Sequence, residues 1–125
     1  MLITEIIDIR YKTLLGGHAM ARTKFQTLTE QMFYILLCMK NECCGMDIMD
    51  KVKDMTDGRV LIGSGTLYNL LGQFVQEGYI TETSASGKRR NYILTDDGRS
   101  ALSQETERLK KQIDDYYEIM MEERL

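Results

Sequence analysis

The chain has no proline and no tryptophan in 125 residues, and a single histidine, His18. No low-complexity stretch stands in for a linker, so nothing divides the chain into separate compact domains. One histidine leaves Cys-His or Ser-His chemistry without a base in the body of the protein. There is no P-loop, Gly-x-Ser-x-Gly, His-Glu-x-x-His or dinucleotide-type glycine fingerprint, and the chain is read as a non-enzyme with no catalytic residue. Three cysteines, Cys38, Cys43 and Cys44, fall within seven residues. They form no Cys-x-x-Cys pair and lack a fourth ligand, which argues against zinc, and their odd number argues against a disulfide scaffold. No metal or cofactor is expected. No apolar run approaches the roughly 18 residues of a membrane span. The stretch Met1–Leu15 is broken by Glu5, Asp8, Arg10 and Lys12 and does not read as a secretory signal. No membrane partner and a cytoplasmic location are therefore expected.

What remains is an ordinary globular composition, 43% apolar and 28% charged, in a length suited to one compact domain. The formal net charge of −3 is unevenly spread. Residues 1–95 hold 11 Lys/Arg against 10 Asp/Glu, whereas residues 96–125 hold 5 against 9. The acidity belongs to the C-terminal segment, and the tightest basic cluster, Lys88-Arg89-Arg90, lies outside it. Local charge, not the sum, decides whether a surface can meet phosphate.

Leu28, Met32, Ile35, Leu36 and Met39 recur at helical spacing around Thr29, with Phe33 and Leu37 widening the stripe. They predict a largely buried helix ending near Asn41–Glu42. Cys38 packs within it, and Cys43 and Cys44 fall at the junction beyond. After Gly45 a second helix takes Met46, Ile48, Met49, Val52 and Met55 and stops at Asp57-Gly58. Arg59–Ile62, short and apolar between glycines, reads as a small strand. Ser64 is the expected N-cap of a third helix carrying Leu67, Leu70, Leu71, Phe74 and Val75, with Gly78 as its terminator. Tyr79–Thr83 and Asn91–Thr95 read as a hairpin around Ser84-Ala85-Ser86-Gly87-Lys88. Thr95-Asp96-Asp97-Gly98 opens a final helix that runs almost to the end.

Helix, helix, short strand, helix, strand, basic turn, strand is the order of a winged helix-turn-helix. The fold class expected is mainly α with a small β-hairpin, extended by a long C-terminal dimerisation helix. Residues 1–19 are set apart as an N-terminal extension or leader, 20–96 as the DNA-binding domain and 97–125 as the dimerisation helix. In this order the third helix buries one face and leaves the other free to enter a major groove about 12 Å wide. With Leu67, Leu70, Leu71 and Phe74 inward, Ser64, Thr66, Tyr68, Asn69 and Gln73 become the candidate DNA-contacting residues. Hydroxyls and free amides at a helix start suit phosphate oxygens, and the amides of Asn69 and Gln73 match adenine edges. Lys88, Arg89 and Arg90 are the candidates for backbone phosphates. Taken singly, a polar helix face or a short charge run is most often only solvated. The combination favours double-stranded DNA as the partner.

The stretch from Leu28 to about Leu109 resembles the PadR family of winged-helix regulators. The residues carrying the resemblance are Gly65-Thr66-Leu67-Tyr68 followed by Leu71, then Glu77-Gly78-Tyr79-Ile80, then Gly87-Lys88-Arg89-Arg90-Asn91-Tyr92-Ile93-Leu94-Thr95 and Gly98. Any one piece is weak; the combination is specific. The family commonly has proline immediately before the first of these segments, where this chain has Ser64. The resemblance implies a homodimeric repressor with cross-packed terminal helices, of the subgroup with one such helix, and with Tyr68 and the wing cations near DNA. Some members sense phenolic acids or multidrug-type aromatic compounds at the dimer interface, so release by a small apolar or aromatic effector is implied too. Nine methionines offer pliable apolar surface, while the missing tryptophan removes one platform for a flat ring.

The terminal helix points to dimerisation independently. Leu102, Leu109 and Tyr116 are seven apart, and Thr106, Ile113 and Met120 are seven apart and offset by four. This heptad-like stripe is the expected homodimer interface, with folding back onto its own domain as the alternative. Residues 1–19 differ from the rest, since Met20 is a second plausible start. Gly16-Gly17 can be encoded as GGAGGN two codons before it, which suits a ribosome-binding sequence. Translated upstream sequence and a short amphipathic helix (Ile3, Ile6, Ile7, Leu14) are both open. Two other functions stay in view: a winged-helix protein-interaction module, which would not need Lys88-Arg89-Arg90, and a thiol-responsive regulator using Cys43 and Cys44, which would need a thiolate-stabilising environment.

Overall fold

A computed structural model of the chain describes residues 27–122. The two readings of residues 1–19 lie outside the described residues.

Helix α1, Glu30–Cys38, begins where Thr29 takes an extended conformation and its hydroxyl accepts from the Met32 amide at 3.2 Å. Leu28, Ile35, Leu36 and Met39 are buried, and Phe33 is half-buried, while Leu37 points to solvent. The helix stops earlier than its apolar pattern suggests, with Met39 as its C-cap. Cys43 and Cys44 do not merely join helices: they form a two-residue strand, β1, and both are buried. A 3₁₀ turn, Gly45–Asp47, leads into α2, Ile48–Met55. Ile48 and Val52 face the core, but Met46 and Met55 are about half exposed. Met46 lies in the 3₁₀ turn, out of phase with α2, and Met55 is the last helical residue and overhangs the core.

Arg59–Ile62 is not a strand. Val60 and Ile62 are buried and Leu61 is exposed, which is the alternation that suggests one. The backbone there is satisfied locally, however. The Val60 amide donates to the Thr56 hydroxyl at 3.1 Å, and the Gln31 side-chain amide donates to the Leu61 carbonyl at 3.1 Å. Arg59 is tied to the carboxylate of Glu30 and donates to the Tyr34 hydroxyl at 2.8 Å. The strand that completes the sheet is β1 instead.

Helix α3, Ser64–Gln76, is followed by β2, Ile80–Ser86, and β3, Arg89–Leu94. The sheet is antiparallel in the order β1-β3-β2, with Cys43 opposite Tyr92, Ile80 opposite Leu94 and Ser86 opposite Arg89. The hairpin strands run further than their sequence suggests, leaving a two-residue turn of Gly87 and Lys88. Gly87 has φ 59°, a conformation that glycine adopts freely at such turns.

Helix α4, Asp96–Glu122, is the longest element, about 40 Å from end to end at 1.5 Å per residue. Its start is locked to the end of α3 through Thr95. The Thr95 amide donates to the Tyr79 carbonyl at 3.0 Å, and its hydroxyl donates to the Gly78 carbonyl at 2.5 Å. The same hydroxyl accepts from the Gly98 amide at 3.1 Å. Arg99 adds a bond to the Lys40 carbonyl at 3.1 Å. Ala101 and Leu102 pack on the core. Beyond them Glu105 is buried, its carboxylate gripped by Arg108 at 3.0 and 2.5 Å. No helix among the described residues is long and apolar enough to cross a membrane.

Candidate nucleic-acid interface

The apolar spacing of α3 turns one side inward. Leu67 and Phe74 are fully buried, and Leu70 and Leu71 nearly so. Val75, expected on that stripe, lies off it and is exposed. The cap also differs from expectation: Gly63, extended at φ −77° and ψ 156°, takes the N-cap position, and Ser64 is the first helical residue. With no capping side chain, the amides of the first turn stay available and the Ser64 hydroxyl points outward with its neighbours. Ser64, Thr66, Tyr68 and Asn69 are exposed, while Gln73 is half-buried. Gly65 and Gly72 lie on the same exposed side.

Gly45 lies between this helix and Tyr92 of the hairpin. A Cβ added at Gly45 would stand 3.4 Å from the Tyr92 ring and 3.3 Å from Leu71 Cδ1. Glycine there lets β3 and α3 close on each other. Burial, aided by the Glu82 charge and opposed by Arg90, pushes the Tyr92 phenol above its ordinary value.

Lys88 occupies the turn, and Arg89 and Arg90 open β3. All three are exposed, but the arginines are engaged. Arg90 Nη1 donates to Glu82 Oε1 at 2.7 Å, which holds its guanidinium above its ordinary pKa. Arg89 Nη2 lies 3.7 Å from Asp47 Oδ2. Lys88 has no ion pair among the described residues. Asp47, Glu82 and Tyr92 are the neighbours that sequence reasoning missed. Asp47 is remote in sequence, and the Glu82–Arg90 contact follows from the register that sets Glu82 opposite Tyr92.

The six stripe residues of α4 divide. Leu102 and Leu109 are half-buried, Leu102 against its own core, whereas Thr106 is exposed and its hydroxyl donates to the Leu102 carbonyl at 2.8 Å. Ile113, Tyr116 and Met120 are exposed, and so are Tyr117, Ile119 and Met121, which the heptad reading omits. Ile113, Tyr116, Tyr117 and Met120 fall at helical intervals of three and four and share one face.

Burial acts on two of the thiols. Burial, then the Cys43 charge, pushes the Cys38 thiol up to about 11. Burial also raises Cys43, although Lys51 opposes it. Both thiols stay protonated near neutrality, the unreactive form. Among the described residues no group of three or more His, Cys, Asp or Glu side chains converges to hold a metal ion.

A helix-turn-helix of α2 and α3 with a cationic hairpin beside it defines the winged-helix class of DNA-binding proteins. The sequence model of the PadR-like family of transcriptional regulators matches residues 35–104. That is more than half of the chain, which therefore belongs to this family. Three solved structures share the fold. A PadR family transcriptional regulator from Eggerthella lenta is 18% identical with a TM-score of 0.59, over 94% of this chain and 86% of that one. A transcriptional regulator from Clostridium thermocellum is 24% identical with a TM-score of 0.58, over 70% and 91%. BpsR of Bordetella bronchiseptica, whose DNA binding is regulated by 6-hydroxynicotinic acid, is 12% identical with a TM-score of 0.56, over 93% and 79%. No curated protein matches the sequence. Family membership also makes sense of Ser64. Its place, the first helical position, is where proline is readily accommodated because that N–H has no intrahelical partner.

Proposed function

We propose that the chain is a homodimeric transcriptional repressor that docks on double-stranded DNA through two winged heads and is released by a small apolar or aromatic effector. The observation that carries this reading is the division of α3, whose Leu67–Phe74 side is buried while Ser64, Thr66, Tyr68 and Asn69 stay exposed beside the Lys88–Arg90 turn. Ser64 and Thr66 would meet phosphate at the helix start, Tyr68, Asn69 and Gln73 would line the groove, and Lys88, Arg89 and Arg90 would meet the flanking backbone. The dimer rests on the exposed Ile113, Tyr116 and Met120 of α4, which a second copy would cover. Two linked heads suit half-sites one helical turn apart, and occupying a promoter in this way blocks its use. The effector rests on the likeness to BpsR and on the family.

A gel shift and footprint on the protein's own promoter fragment test the reading. Asn69→Ala and Gln73→Ala are expected to change base preference by roughly 1–3 kcal/mol each. Arg89→Ala is expected to weaken binding to every duplex and to flatten the salt dependence. Equal losses on promoter and random DNA would remove Asn69 and Gln73 as readers. A panel of phenolic acids added to the preformed complex tests release, and a complex indifferent to all of them would remove that effector class.

A further inference from the structure

The arginines of the hairpin are held by carboxylates on the very surface that the reading above assigns to DNA. We propose that Glu82 is a restraint on the wing of that interface, a residue that holds Arg90 until a phosphate displaces it. Its carboxylate occupies Arg90 as a phosphate would, so the wing adds little to the binding of arbitrary duplex and engages fully only once α3 is seated. The proposal rests on the DNA-binding reading.

The register places the pair. Glu82 lies directly opposite Tyr92, and Arg90, two residues before Tyr92, shares its face of β3. Glu82 and Arg90 are thus diagonal neighbours on the face whose Tyr92 ring packs near Gly45 and Leu71. Their side chains are 37% and 59% exposed, so a phosphate oxygen can reach the guanidinium. Exposed ion pairs are weak, and exchanging one anion for another there is nearly even. The displaced carboxylate cannot leave, however. Its backbone is paired with β3, and the next residue, Thr83, is tied to the carboxylate of Glu42. It remains within a Debye length, about 8 Å, of the incoming phosphate and repels it.

Asp47 and Arg89 form a looser version. They are 3.7 Å apart, against 2.7 Å for Glu82 and Arg90. The three cations therefore engage in the order Lys88, Arg89, Arg90. A mobile, non-specific duplex is held by the first. Seating α3 raises the effective concentration of phosphate at the last and drives the exchange.

The test compares random-sequence duplex with the protein's own promoter fragment by fluorescence anisotropy across a salt series, using the full chain. Glu82→Gln is expected to tighten promoter binding about two- to five-fold, to tighten random-duplex binding less, and to steepen the random-duplex salt slope by up to about one. Asp47→Asn is expected to give a smaller gain. In an Arg90→Ala background, Glu82→Gln is expected to give a smaller gain, the part due to repulsion alone. No gain, a larger gain on random duplex than on the promoter, or a gain undiminished by Arg90→Ala would each overturn the proposal. If Arg90→Ala weakens binding while Glu82→Gln is silent, only this proposal falls. If the wild type binds neither duplex in a salt-dependent way, the DNA reading falls and takes the proposal with it. Matching thermal melts confirm that each variant is folded.

Discussion

A Cβ at Gly98 would overlap the Tyr79 carbonyl oxygen and approach Leu94 Cδ2 to 2.8 Å. That carbonyl already accepts the Thr95 amide at 3.0 Å, so the backbone cannot retreat without opening the junction between β3 and α4. Gly98→Ala is expected to destabilise the fold by about 3 kcal/mol, read from the urea midpoint. A change below about 0.5 kcal/mol, the size of an ordinary surface substitution, would show that the junction yields. Cys38 gives a second residue-scale prediction. Burial raises its thiol from 9.0 to about 11. The stabilisation is complete below the unfolded thiol's pKa and is lost as pH rises toward the folded value, because there only the unfolded chain gains by ionising. Cys38→Ala is expected to flatten the fall in stability between pH 9.0 and about 11, measured by denaturation at a series of pH values. An unchanged slope would show that the thiol is not responsible.

Helix α3 is legible at the scale of the element because its period places Leu67, Leu70, Leu71 and Phe74 on one side without reference to the rest of the chain. Its exposed side contains a glycine with no packing reason: a Cβ at Gly72 would meet nothing within 4 Å. Gly72→Ala is expected to stabilise the domain by about 0.5–1 kcal/mol, the difference in helix preference, as read by urea denaturation. The added methyl stands beside Tyr68 and Asn69. A loss of promoter binding with stability gained would mark this side as the contact, and binding unchanged would place the contact elsewhere. Arg59–Ile62 shows the opposite case. Alternating burial over four residues satisfies the strand pattern, but a strand needs a neighbour, and side chains of α1 and Thr56 take its place.

At the scale of the whole molecule, α4 connects the ends of α1 and α3 to a protruding apolar face. Thr95, Gly98 and Arg99 fasten its first turn, so the direction of the rod is set by the winged domain. Ile113 is 53% exposed and takes no part in the domain core. Ile113→Glu is therefore expected to leave thermal stability of the head intact while converting the proposed dimer to a monomer in light scattering, with loss of the proposed tight promoter binding. A variant that remains dimeric would move the interface away from this face.

Periodicity and turn chemistry by themselves determined α1 to α4 in outline, the hairpin, the buried side of α3 and the cationic turn. These depend on interactions within a few residues, where side-chain spacing and backbone preference carry the information. Only the tertiary structure decided that Cys43–Cys44 and not Arg59–Ile62 completes the sheet, that Gly63 caps α3, that Leu102 belongs to the core, and that Arg89 and Arg90 face Asp47 and Glu82. Those outcomes depend on which distant groups find partners and on cross-strand register, quantities that no local pattern contains.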